Sequence, residues 1–170
     1  MKTGTRLLFG AVVATCTLVG IALATPRVGI LFTNLAVGAT DAELLPRARV
    51  QLPAVPGQED EWSAKLLTTG PSNFIVQDVT ILPGGHTGWH SHPGILLSSV
   101  MEGSIEWYNS KCEKQVYNAG DSLTETTETH FVNNPAAVNA RFMVTYIIAK
   151  GQASRIDQPA PACAAALGLN

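Results

Sequence analysis

The chain has 170 residues, enough for one domain with its own core, and 46% of them are apolar against 14% charged. That balance excludes a disordered chain. A formal net charge of -2, with no run of Lys or Arg, argues against nucleic acid and anionic membrane surfaces as partners.

The first 24 residues read as an export signal. Lys2 and Arg6 give a basic start, an apolar run extends from Leu7 to Ala24, and Ala22-Leu23-Ala24 is a small-residue cleavage pattern. Pro26 interrupts any continuing helix. Cleavage predicts an exported protein, periplasmic or secreted. The run of 18 residues exceeds the usual apolar core of about 7–15. An uncleaved anchor over residues 7–24 is therefore the alternative, and only then would the protein meet a membrane.

Residues 25–70 carry mixed signals. Short apolar runs at Val28–Leu31 and Leu35–Val37, with Pro53 and Pro56 beyond, predict an extension of edge strands and loops packed on the main domain. Residues 71–150 are β throughout. Strand formers run from Phe74 to Leu82, and Pro83-Gly84-Gly85 is a turn. Ile95–Met101, Glu102-Gly103 and Ser104–Tyr108 read as a hairpin. Shorter strands are expected at Gln115–Tyr117, Ser122–Glu125 and His130–Val132, and a long one at Val138–Ala149. Residues 151–170 form a Pro- and Ala-rich tail with a helical turn expected at Ala164–Leu167. Many short strands with Gly turns between them give an all-β sandwich or barrel.

Beyond Cys16 in the apolar run, the cysteines are Cys112 and Cys163. An even count in an exported chain favours a disulfide that pins the tail, the alternative being two separate thiols.

All four histidines fall in two short segments. His86, His90 and His92 lie in Gly84–Gly94, and His130 lies in Thr129–Asn134. Alternate residues of a strand share a face, so His90 and His92 converge on one side. A third imidazole from another strand would complete a trio suited to a transition metal, with positions left open. His86 shares their parity, but Gly84, Gly85 and Gly88 break the strand there. Its alternative role is a polar residue at a barrel mouth. Trp89 should face away into the core.

These segments resemble the two motifs of the cupin superfamily. Gly84, His90, His92 and Gly103 match the first, and Gly120, His130 and Asn134 match the second. The resemblance covers about Asn73 to Ala149. It implies a double-stranded β-helix, the cupin jelly-roll barrel, with a metal held by His90, His92 and His130 and with homodimers common. The position where cupins place an acidic ligand is Leu96 here, which cannot bind a metal. Glu125 and Glu128, near His130, are candidate substitute ligands or supporting groups. Leu96, Phe142 and Val144 are expected to make the pocket apolar.

No nucleophile elbow, phosphate loop or nucleotide fingerprint occurs. The expected function is therefore that of a metal barrel holding iron, zinc, copper or nickel. It would act as a dioxygenase-like oxidoreductase on a small, partly apolar molecule. The alternative is a non-catalytic module of the cell envelope that binds a metal or small ligand.

Overall fold

The computed structural model describes residues 24–41, 48–52 and 62–169. The expected export signal or anchor thus lies outside the described residues, apart from Ala24. The strands are β1 Val28–Ala39, β2 Ala48–Leu52, β3 Trp62–Leu66, β4 Ser72–His86, β5 His90–Ser91 and β6 Gly94–Glu102. They continue with β7 Ser104–Asn109, β8 Lys114–Asn118, β9 Ser122–Glu125, β10 His130–Asn133, β11 Ala140–Ala149 and β12 Ile156–Asp157. One helical turn, α1 at Ala164–Leu167, closes the tail.

Ten of these strands pair antiparallel into a nearly closed barrel, a double-stranded β-helix. One wall runs β1-β4-β11-β6-β9, and the other runs β12-β5-β10-β7-β8. The two walls join where the end of β4 leaves the first and pairs His86 with Asn133 of β10. The bend falls at Pro83-Gly84-Gly85. Gly84 has a φ of 72°, which costs least at glycine.

Alternation along the strands fills the barrel. On β11, Ala140, Phe142, Val144 and Tyr146 are buried, and Arg141, Met143 and Thr145 point outward. On β4, Val79 and Ile81 face them, and on β6, Leu96 and Val100 do so. The result is a mainly aliphatic core between the walls. A second cluster of Trp89, Tyr108, Phe131, Ala164 and Leu169 lies under the tail. Trp89 is fully buried there, and its Nε1 donates to the Leu169 carbonyl at 2.7 Å.

Two local expectations need correction. The segment through Gly103 is not a hairpin, because β6 pairs with β9 and β11 while β7 pairs with β8 and β10. Gly103 is instead a corner between walls. It has a φ of 70°, and a Cβ there would sit 2.6 Å from the Asn139 carbonyl oxygen. The runs Val28–Leu31 and Leu35–Val37 are also not separate. They form one long β1, paired with β4 from Val28 opposite His86 to Ala39 opposite Asn73. β2 and β3 form a small hairpin of their own.

Cys112 and Cys163 form a disulfide with Cα atoms 6.1 Å apart, closing 51 residues of chain. Loop closure of that size is worth about 4 kcal/mol in the chain-entropy view. The bond ties the β7–β8 turn to the residue that begins α1 and points to an oxidising, extracellular setting. Among the described residues, no helix is long and apolar enough to cross a membrane.

Candidate functional site

The structure brings His90, His92 and His130 together. β5 and β10 pair directly through His90 opposite His130, and His92 follows β5 on the same side. One ligand atom from each ring lies within 4.8 Å of the others. The ring centroids are 4.2 Å apart for His90–His130, 4.8 Å for His90–His92 and 5.1 Å for His92–His130. All three residues are buried.

The backbone selects the tautomer of each ring. Nδ1 of His90 lies 2.9 Å from the Gly88 carbonyl, that of His92 2.6 Å from the Ser154 carbonyl, and that of His130 2.8 Å from the Glu128 carbonyl. A carbonyl only accepts, so each Nδ1 carries the hydrogen and donates. Each Nε2 therefore keeps a lone pair, the ligating form of imidazole. Burial, the leading cause, pushes the imidazole pKa values down from 6.5. His92 and His130 fall to about 4, and His90 falls well below its ordinary value. All three are thus neutral at pH 7, as a metal requires.

Glu125 completes the group. It ends β9 and lies directly opposite Leu96 in the β6–β9 ladder. Its carboxylate reaches His130 Nε2 at 3.2 Å and His92 Nε2 at 3.6 Å, and Trp107 Nε1 donates to it at 3.0 Å. Burial pushes its pKa up, while His92 and the Trp107 hydrogen bond pull it down. His92 Nε2 and His130 Nε2 are buried without a hydrogen-bond partner, and both face carboxylate oxygens. Lone pairs against an anion, out of water, are unfavourable until a cation or proton lies between them. Three imidazoles and one carboxylate fit a divalent transition metal.

The other candidates lie elsewhere. Glu128 is exposed and accepts from Ser110 Oγ at 3.2 Å, contributing only its backbone carbonyl to the centre. His86 turns away: its Nδ1 accepts from the Gly88 amide at 3.2 Å, and its ring stacks on Phe131 at 5.1 Å. The glycine bend in β4 breaks the parity it would otherwise share with His90. Phe142 and Val144 line a cavity of about 100 Å³ that opens from the centre, but Leu96 does not. Leu96 packs into the barrel core at 1% exposure, its place at the cavity taken by the Glu125 side chain.

Among the cavity-wall residues that sequence reasoning missed are Arg27, Gln77, Tyr146 and Arg155. Tyr146 could have been found, since it continues the inward parity of Phe142 and Val144. Its ring meets His92 edge-on at 5.7 Å, and burial raises its hydroxyl pKa, so it stays protonated. Arg155 had only a faint signal, a lone cation in an apolar tail.

No protein-family model matches the chain, and no curated protein matches it. Solved structures do. A conserved double-stranded β-helix protein from Klebsiella pneumoniae is 22% identical over 49% of this chain and 73% of its own, with a TM-score of 0.44. The polyketide cyclase RemF from Streptomyces resistomycificus is 18% identical over 55% and 68%, with a TM-score of 0.45. A cupin-like protein from Thermotoga maritima is 21% identical over 51% and 65%, with a TM-score of 0.43. At these identities the likeness extends no further than general fold. The chain's own two-walled barrel is a double-stranded β-helix that brings both histidine segments together.

Proposed function

We propose that this is an exported metalloprotein that holds iron, zinc, copper or nickel through His90, His92 and His130, with Glu125 as the fourth ligand. The observation that carries this reading is the pair of buried, unpartnered Nε2 atoms facing the Glu125 carboxylate. Glu125 supplies from β9 the anionic charge that Leu96 cannot supply from β6, and this favours harder ions such as iron(II) over a site of imidazoles alone. Export is supported by the basic start, the Ala22-Leu23-Ala24 pattern and the disulfide.

The activity best supported is that of an oxidoreductase, dioxygenase-like, acting on a small, partly apolar molecule. When bound, the metal supplies Lewis acidity and, if redox-active, electrons. The chain's own residues do the rest. Ile30, Phe32, Val79, Phe142 and Val144 give the cavity an apolar wall, and Tyr146 offers a protonated hydroxyl there. A cavity that reaches the centre with such groups on its wall favours catalysis over a purely binding module.

Elemental analysis of purified protein, offered each of the four metals, is the direct test. About one metal per chain is expected, and His90→Ala/His92→Ala should carry almost none. Less than about 0.1 metal per wild-type chain would sink the metal reading. For the reaction, iron- or copper-loaded protein that consumes no oxygen with a broad panel of phenols, thiols and diketones would leave the binding module as the better description.

A further inference from the structure

The cavity wall carries a charge pattern that the metal centre does not need. Its ionisable groups, apart from the neutral imidazoles and Tyr146, are Glu125, Arg27 and Arg155. Glu125 faces the histidines. The two cations come from the segment before β1 and from the tail. Arg27 is exposed and sits over the Phe32 ring at 5.0 Å. Arg155 is different, with only 20% of its side chain exposed.

Arg155 is held by two anchors. Its Nε donates to Asp157 Oδ1 at 2.5 Å, and its Nη2 donates to the Thr87 carbonyl at 2.7 Å. Among the described residues, Nη1 has no acceptor. Ser154, the preceding residue, fixes the His92 ring through its carbonyl, so guanidinium and metal centre share one frame. An arginine with its rotamer fixed and one edge free is a ready-made anion reader, because little freedom remains to be lost on binding.

We infer that the cavity takes a small monocarboxylate, its carboxylate gripped by the free edge of Arg155 and its apolar body lying along Phe142 and Val144 toward the histidine centre. This rests on the reading of the same cavity as the substrate site. The rest of the wall explains the choice of anion. The held guanidinium of Arg155 offers a planar fork that matches one planar carboxylate, and the aliphatic and aromatic side chains beside it suit an apolar body better than a phosphate's second charge. The Tyr146 hydroxyl is on the same wall and can donate to the same group. The cavity of about 100 Å³ limits the ligand to a few heavy atoms beyond the carboxylate.

The test is titration calorimetry on the full protein, metal-free and zinc-loaded, with isobutyrate, 2-oxobutyrate and benzoate. Isobutyramide, benzamide and inorganic phosphate are run beside them. At least one carboxylate is expected to bind both forms, and its amide should bind at least about 10-fold more weakly. Arg155→Gln should weaken that carboxylate by about 10- to 100-fold, with zinc stoichiometry unchanged. Arg155→Lys should fall between the two, since it keeps the charge and loses the fork. Equal binding of acid and amide, undiminished binding by Arg155→Gln, or tighter binding of phosphate overturns the inference. A protein that takes none of the four metals but shows Arg155-dependent carboxylate binding would sink the metal reading and leave this one standing.

Discussion

The two hydrophobic clusters of this protein are built on different terms. The barrel core draws on residues from β4, β6, β7, β9, β10 and β11, most of them aliphatic and placed by simple alternation. The cluster under the tail is aromatic, joins Trp89, Tyr108 and Phe131 to Ala164 and Leu169, and depends on chain brought back from the C-terminus. Trp89 and His90 are neighbours on one segment facing opposite ways. The tail cluster therefore backs the metal centre, while the barrel core only frames it. Stability and site geometry should separate between the two.

The largest effect should come from Trp89→Ala. It removes a fully buried ring and its hydrogen bond to Leu169, and should cost about 3–5 kcal/mol by urea unfolding. Metal affinity should fall with it. Ile81→Ala, equally buried in the barrel core, should cost about 2–5 kcal/mol yet keep its metal stoichiometry. If both variants lose metal to the same degree, the distinction between the clusters fails.

Next in size is the disulfide. Cys112→Ser/Cys163→Ser should lose about 2–4 kcal/mol. It should also weaken metal binding, because the tail carries the Ser154 carbonyl that orients His92. Metal titrations of oxidised and reduced protein would show it, and identical affinities would mean the tail stays docked without the bond.

A smaller effect is set by pH. In the metal-free protein the imidazoles resist protonation down to about 4 for His92 and His130, whereas in the unfolded chain they titrate near 6.5. The unfolded chain thus binds protons that the folded one refuses. Stability is complete above about 6.5 and declines as pH falls toward about 4, where the folded rings begin to protonate as well. Glu125, whose pKa burial raises, holds its proton more readily when folded and offsets part of the decline. Urea midpoints from pH 8 to 4 should follow this slope, and bound zinc should steepen it, since protons then compete with metal. The smallest change should be Glu128→Gln, within about 0.5 kcal/mol and without loss of metal, because that side chain lies in solvent.

Much of the barrel can be read along the sequence because alternation is a local property. Phe142, Val144 and Tyr146 declare their common face by spacing alone. Pairing is not local. Nothing near Glu125 says that it will stand opposite Leu96, since that depends on the register of β6 against β9. The same holds at Gly103, where a strand-turn-strand pattern serves a corner as well as it serves a hairpin; the partners of β6 and β7 decide between them. The tail is the extreme case. Ser154 and Arg155 acquire their roles only when β12 pairs with β5, Ile156 opposite Ser91 and Asp157 opposite His90.

The three imidazoles are steered by carbonyls of Gly88, Glu128 and Ser154, not by side chains. A main-chain oxygen is present whatever residue stands at the position. Mutational drift at 128 or 154 can therefore change the chemistry of the surface without disturbing the proton on any ring. Position 88 is the exception, for a reason unrelated to its carbonyl. It has a φ of 67°, and a Cβ there would come within 2.3 Å of the Thr25 carbonyl oxygen. What selection must preserve around this centre is the path of the chain, together with one glycine that lets the chain follow it.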